Sequence, residues 1–261
     1  MPYLMEKIPN LKLMKANLLL LFVFSISISL AQVSNPIVLK DAVSFSKDRY
    51  DNVFYVTTNQ DVKKYGDDKL IYSPQRRKEI TNLEAWNSIK IFLFSKEYQE
   101  YTVLDKYLTE IYTRAFNIEN IGFASFATIT LDGNIWLFDN SDFSIKKVDI
   151  QNGNIISKTP LNLIIKESQN EVLFMKEYGN FLYISTVNNG ILVFDNLGTY
   201  KKKLPFNNVL FFDFENTSLY FLRDYEKTLF DLISLEIKSE VLNEKGKRII
   251  TTKNRNYIIS K

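Results

Sequence analysis

From residue 40 onward the sequence is a series of short apolar and aromatic runs separated by polar turns; residues 53–56, 89–94, 135–138, 181–184, 219–221 and 257–259 are the clearest. Val, Ile, Tyr and Phe dominate these runs, and such residues suit a pleated, half-buried surface. No window sustains the apolar spacing of a helix. The best candidate, residues 105–116, is short and has no Gly or Pro to stop it. The pattern predicts an all-β chain.

The runs recur at a nearly fixed interval. From Val53 to Ile91, Ile135, Leu182, Leu219 and Tyr257 the steps are 38, 44, 47, 37 and 38 residues. A period of about 40 residues with several strands per unit is the mark of propeller blades. Asp105, Asp149 and Asp195 fall 14, 14 and 13 residues after Ile91, Ile135 and Leu182. Each closes an apolar strand, where a carboxylate can accept backbone N–H bonds and hold a turn. The clearest unit spans residues 171–204, with strands at 171–175, 181–186, 190–195 and 199–204 joined by turns rich in Gly and Asn. A β-propeller of six blades follows from the period, with five as the alternative.

The stretch GNFLYISTVNNGILVFDNLG (179–198) resembles the strand-turn-strand core of repeats in quinoprotein-like and other non-WD propellers, and GNIWLFDNSDFSIKKVDIQNGNII (133–156) is a looser copy. The chain after its N-terminal segment also resembles a family of exported, uncharacterised propeller-like proteins of Bacteroidota, best along SIKIFLFSKEYQEYTVLDKYLTEI (88–111). The resemblance implies four-stranded antiparallel blades and export, and it implies no activity and no site residues. The Trp-Asp signature of WD repeats is absent, and 8 Gly is few for a propeller.

A single blade cannot bury both faces of its sheet, so blades must stack and the ring must close. The last unit stops after its second strand, and residues 36–39 are expected to return and complete it. A twisted antiparallel sandwich is the alternative.

Residues 18–24 form an apolar run behind Lys15, and Ser29 and Ala31 supply small residues. This reads as a signal peptide over residues 1–31, cleaved between Ala31 and Gln32, with Met14 as the expected true start. The run is shorter than the roughly 20 residues of a bilayer span, so no transmembrane segment is expected after cleavage. The remaining residues, 32–261, are expected to form one propeller domain, periplasmic, extracellular or associated with the outer membrane.

Composition then removes whole classes of chemistry. The chain has no His and no Cys, which excludes Ser-His-Asp and Cys-His catalysis, zinc ribbons, iron–sulfur clusters and disulfides. Net charge is +3. Lys7, Lys12 and Lys15 against Glu6 account for +2 of it, so the body carries 30 basic and 29 acidic side chains. A body so near neutrality has no broad field for phosphate backbones, and no nucleic acid is expected. No cofactor motif is present.

Two acidic clusters remain. Asp213 and Glu215 alternate with Phe212 and Phe214, so an inner strand would turn both carboxylates toward the channel, where a pair could serve glycoside hydrolysis. Asp139, Asn140 and Asp142 offer oxygens in a turn, short of the six to eight a calcium ion takes. The basic clusters 76–78, 201–203 and 245–248 read as solvated turns and edge protection. Most aromatics occupy inward strand positions as core. The expected function is a non-enzymatic binding or scaffold module of the cell envelope, meeting an envelope protein or surface ligand. The alternatives are a carboxylate-dependent glycan hydrolase and a structural subunit of an envelope complex.

Overall fold

The computed structural model describes residues 35–85, 90–166 and 171–260. The expected signal segment, with Met14 and the Ala31–Gln32 cleavage point, lies outside the described residues. The described chain builds six small sheets, antiparallel except for one parallel pair in the last, and their innermost strands touch one another in sequence around a closed ring. It is a six-bladed β-propeller.

The first blade comprises β2 (Ala42–Lys47), β3 (Val53–Thr57), β4 (Val62–Lys64) and β5 (Asp67–Tyr72). The second holds β6 (Asn82–Glu84), β7 (Lys90–Ser95), β8 (Glu100–Asp105) and β9 (Glu110–Ala115). β10 (Ala124–Ile129), β11 (Ile135–Asp139), β12 (Ser144–Val148) and β13 (Ile155–Pro160) form the third. β14 (Val172–Tyr178), β15 (Phe181–Thr186), β16 (Ile191–Asp195) and β17 (Tyr200–Leu204) form the fourth, along the lines the sequence predicts. The six positions that set the period, from Val53 to Tyr257, all fall on the second strand of their blades.

The fifth blade has β18 (Phe212–Glu215), β19 (Ser218–Asp231) and β20 (Ile237–Gly246). Fully extended, the 14 residues of β19 would span roughly 46 Å. Yet the N–H of Leu232 donates to the Thr217 carbonyl at 2.9 Å and the Thr217 hydroxyl to Asp231 at 2.7 Å. The element therefore doubles back, at the left-handed Asp224 (φ 54°), and supplies both middle strands of the blade.

The sixth blade is closed from the other end of the described chain. β21 (Arg248–Thr251) pairs with β22 (Asn256–Ile259), and β1 (Ile37–Val38) joins β22 in parallel, Ile37 opposite Tyr257 and Val38 opposite Ile258. The N–H of Leu39 then donates to the Ile258 carbonyl at 3.0 Å. This is the expected closure by residues 36–39.

Packing follows the blades. Six apolar clusters occupy the six interfaces between neighbours, as with Trp136, Phe138 and Ile145 of the third blade against Met175, Leu182 and Phe194 of the fourth. Each such side chain contributes about 1.5–3 kcal/mol on burial. Trp136, Phe194, Phe212 and Tyr220 are fully buried, whereas Phe181 at the start of β15 is exposed. Among the described residues no helix is long and apolar enough to cross a membrane.

Candidate functional site

The inner strands leave their side chains facing a central channel, and the two ends of that channel differ. Toward the starts of the inner strands it is stoppered by aromatic rings. Phe211 stacks on Phe45 of the first blade with centroids 5.3 Å apart and meets Phe174 of the fourth at 4.8 Å. Blades one and four stand opposite each other in a six-membered ring, so these three side chains bridge the channel.

At the other end, where the inner strands turn back, a cavity of about 380 Å³ opens. The turns after β2, β14, β18 and β21 contribute its walls, through Lys47, Asp48, Arg49 and Asp51, then Lys176 and Tyr178, then Asp213 to Asn216, then Lys253. Tyr178 and Phe214 form an aromatic wall, stacked at 4.3 Å with planes 1° apart.

The floor is an ion pair. Lys176 Nζ lies 2.5 Å from Asp213 Oδ1, and both side chains are almost fully buried. Tyr220 donates to the other oxygen of Asp213 at 3.3 Å and accepts the N–H of Thr251 at 3.0 Å. Burial, and secondarily the charge of Asp213, holds the Tyr220 phenol well above its ordinary range. Two more carboxylates, Glu84 on β6 and Glu177 on β14, are buried on the inner strands. Thr128 donates to Glu84 Oε2 at 3.0 Å, Asn82 donates to Oε1 at 2.9 Å, and the N–H of Glu177 donates to Thr128 at 3.2 Å. Burial pushes Glu84 up to about 7 against the opposing charge of Lys176. Burial also pushes Glu177 to about 7, with Glu84 and Asp132 adding repulsion.

Asp213 and Glu215 share one wall of the cavity, as alternation along β18 requires. Asp213 is already engaged by Lys176, whereas the Glu215 carboxylate has no hydrogen bond or ion pair among the described residues. Asp139 and Asp142 lie away from the channel and hold lysines: Lys146 bonds both, and Lys158 lies 2.7 Å from Asp142. Asp139 also accepts the N–H groups of Phe123 at 3.0 Å and Ser141 at 2.8 Å. Carboxylates so occupied brace a turn. No cluster of three or more potential metal ligands occurs among the described residues.

Asp105, Asp149 and Asp195 each accept backbone N–H groups of the turn that follows. Asp105 Oδ1 accepts from the N–H groups of Tyr107 and Thr109 at 2.9 and 2.8 Å, and Asp195 Oδ1 from Leu197 and Thr199 at 3.0 and 2.9 Å. Asp149 Oδ1 accepts from Gln151 at 2.7 Å and Asn152 at 3.0 Å.

Sequence reasoning passed over Lys47, Lys176, Lys253, Glu84 and Glu177. The available signal was a charge inside an apolar strand, as in VLFMKEY over 172–178, since unpaired ions are not buried.

No protein-family model matches the chain, and no curated protein matches it. Solved structures do. The extracellular domain of BT4673 from B. thetaiotaomicron aligns with a TM-score of 0.52 at 11% identity, over 80% of this chain and 30% of that one. This chain thus spans under a third of that structure. Catalytically inactive H270A virginiamycin B lyase from Staphylococcus aureus aligns at 0.54 and 12%, over 84% and 89% of the two chains. The Pan2 WD40 domain from Neurospora crassa aligns at 0.51 and 11%, over 80% and 68%. At such identity the likeness concerns the propeller fold alone, and these neighbours differ widely in what they do.

Proposed function

We propose that this chain is an exported, non-enzymatic binding module of the cell envelope, matured between Ala31 and Gln32, with its ligand site at the open mouth of the channel. The observation that carries the reading is the cavity of about 380 Å³ over a closed floor. It falls at the lower end of the roughly 300 to 1,000 Å³ typical of small-ligand pockets. A scaffold of repeats draws its function from such a grafted site. The likeness to an extracellular domain of a Bacteroides protein supports export and agrees with the resemblance to exported propellers of Bacteroidota.

The test is affinity capture with residues 32–261 against detergent-solubilised envelope and glycan fractions of the source cell. A partner retained by the wild type and lost with the Arg49→Glu, Lys253→Glu double variant is the expected result. Retention of nothing, or retention indifferent to those reversals, overturns the reading.

One observation favours a second reading. Asp213 and Glu215 stand two residues apart on one wall, a short reach for a carboxylate pair acting on a glycosidic bond. Glycan hydrolysis by the wild type that disappears in Glu215→Gln would put the enzyme first.

A further inference from the structure

Of the eight charged side chains lining the cavity, five are held by ion pairs or by their own turn. Lys176 is neutralised by Asp213 at 2.5 Å. Lys47 binds the Thr251 carbonyl and lies 3.8 Å from Asp51. Asp48 is saturated by its own turn, accepting the N–H groups of Tyr50 and Asn52 at 2.8 and 2.9 Å and the Asn52 amide at 2.8 Å. That leaves Glu215, Arg49 and Lys253. Among the described residues Arg49 donates only to the Tyr50 hydroxyl, at 3.0 Å, and rests over that ring. Glu215 and Lys253 have no side-chain partner among the described residues. Lys227 feels the charge of Glu215, but its contacts are with Glu240 at 3.6 Å and Asn256 at 3.2 Å.

From these three charges we infer that the mouth takes a short peptide with both termini free, its ammonium on Glu215 and its carboxylate on Lys253 and Arg49. The inference rests on the reading of this mouth as a ligand site. An anion alone would leave Glu215 facing it, and a cation alone would meet Arg49 and Lys253. A molecule carrying both charges satisfies all three, and guanidinium and ammonium donors both suit a carboxylate. The Tyr178–Phe214 stack gives the peptide an apolar wall beside the charged rim. The blind floor suits a short molecule held at both its ends rather than a strand passing through.

Calorimetry on residues 32–261 with trialanine, N-acetyl-trialanine and trialanine amide tests the assignment. The expected result is saturable binding of trialanine, weakened about tenfold by blocking either end, as loss of one charge-assisted hydrogen bond implies. Glu215→Gln should abolish the difference between free and acetylated peptide, and Lys253→Met should reduce that between free and amidated peptide. Binding indifferent to blocking overturns the assignment, as does no binding to any of the three. Because the blocked peptides probe the unaltered protein, a misfolded variant cannot mimic either outcome. Capture of an envelope partner with no trialanine binding would leave the binding module standing and sink the peptide.

Discussion

Glu84 and Glu177 are carboxylates that burial pushes up into the neutral range. Each is buried in the channel wall, and each is pushed up from 4.5 to about 7. A carboxylate whose folded pKa lies above its unfolded value favours the folded state fully below the unfolded value. That contribution is lost as pH rises through the folded one. Stability should therefore fall between about pH 4.5 and 7. The opposing pull of Lys176 and Thr128 on Glu84, and of Lys147 and Asn180 on Glu177, is already contained in those values, so the loss per carboxylate should be about 3 kcal/mol. Urea unfolding at pH 5 and pH 8 checks this, and Glu84→Gln, which cannot ionise, should show the smaller difference. An equal pH dependence in wild type and variant would count against it. Neither group could be recognised from sequence as titrating abnormally. NLE over 82–84 reads as an ordinary strand end until the third and fourth blades close over it.

At the scale of the element, the turns were the most legible part of the chain. The same device recurs at Asp231, whose Oδ1 accepts the N–H groups of Ile233 and Ser234 at 2.9 and 2.8 Å. Its spacing hid it. Asp231 lies 12 residues after Leu219, not 13 or 14, because β19 reverses at Asp224 through a shorter turn than its counterparts. Gly190 is fixed for a related reason. At φ +73° a Cβ there would stand 2.1 Å from the Leu204 carbonyl oxygen, which closes the outer strand onto the turn. Asp195→Ala should cost about 1–2 kcal/mol through two lost hydrogen bonds. The bridge to Lys201 at 2.8 Å lies at the surface and should contribute little. Thermal unfolding of Asp195→Ala and Lys201→Met separates the two. If the lysine variant loses as much as the aspartate variant, the turn is held by the bridge instead.

At the scale of the molecule, closure is the step on which the ring depends. β1 contributes only two paired residues, but it joins the ends of the described chain, and Leu39 and Ala42 pack with Phe45, Phe211 and Ile250 behind it. Leu39→Pro removes the N–H donated to the Ile258 carbonyl. Amides of β22, notably Tyr257 and Ile258, should then exchange markedly faster, while those of Ile91 and Ile135 keep most of their protection. Unchanged exchange in β22 would mean the sixth blade holds without the N-terminal strand. Where that blade stops short, the face of the fifth blade turned toward it carries Lys227, Lys238 and Glu240, opposite one another or Leu229 across β19 and β20. A charged face needs no further strand to cover it.

Local patterning alone was enough for the all-β class, the period of about 40 residues, the positions of the turns and the need for closure, while it left the choice between six blades and five open. All of these rest on local alternation and on turn chemistry, which act over a few residues and repeat. Tertiary structure alone decided which charges face one another. Lys176 and Asp213 lie 37 residues apart, Glu84 and Thr128 are separated by 44, and Phe45 and Phe211 come from nearly opposite ends of the chain. Their meeting depends on six blades of slightly unequal length packing around one axis. No single blade encodes that geometry, because each inner strand acquires its partners only when its neighbours on both sides are in place.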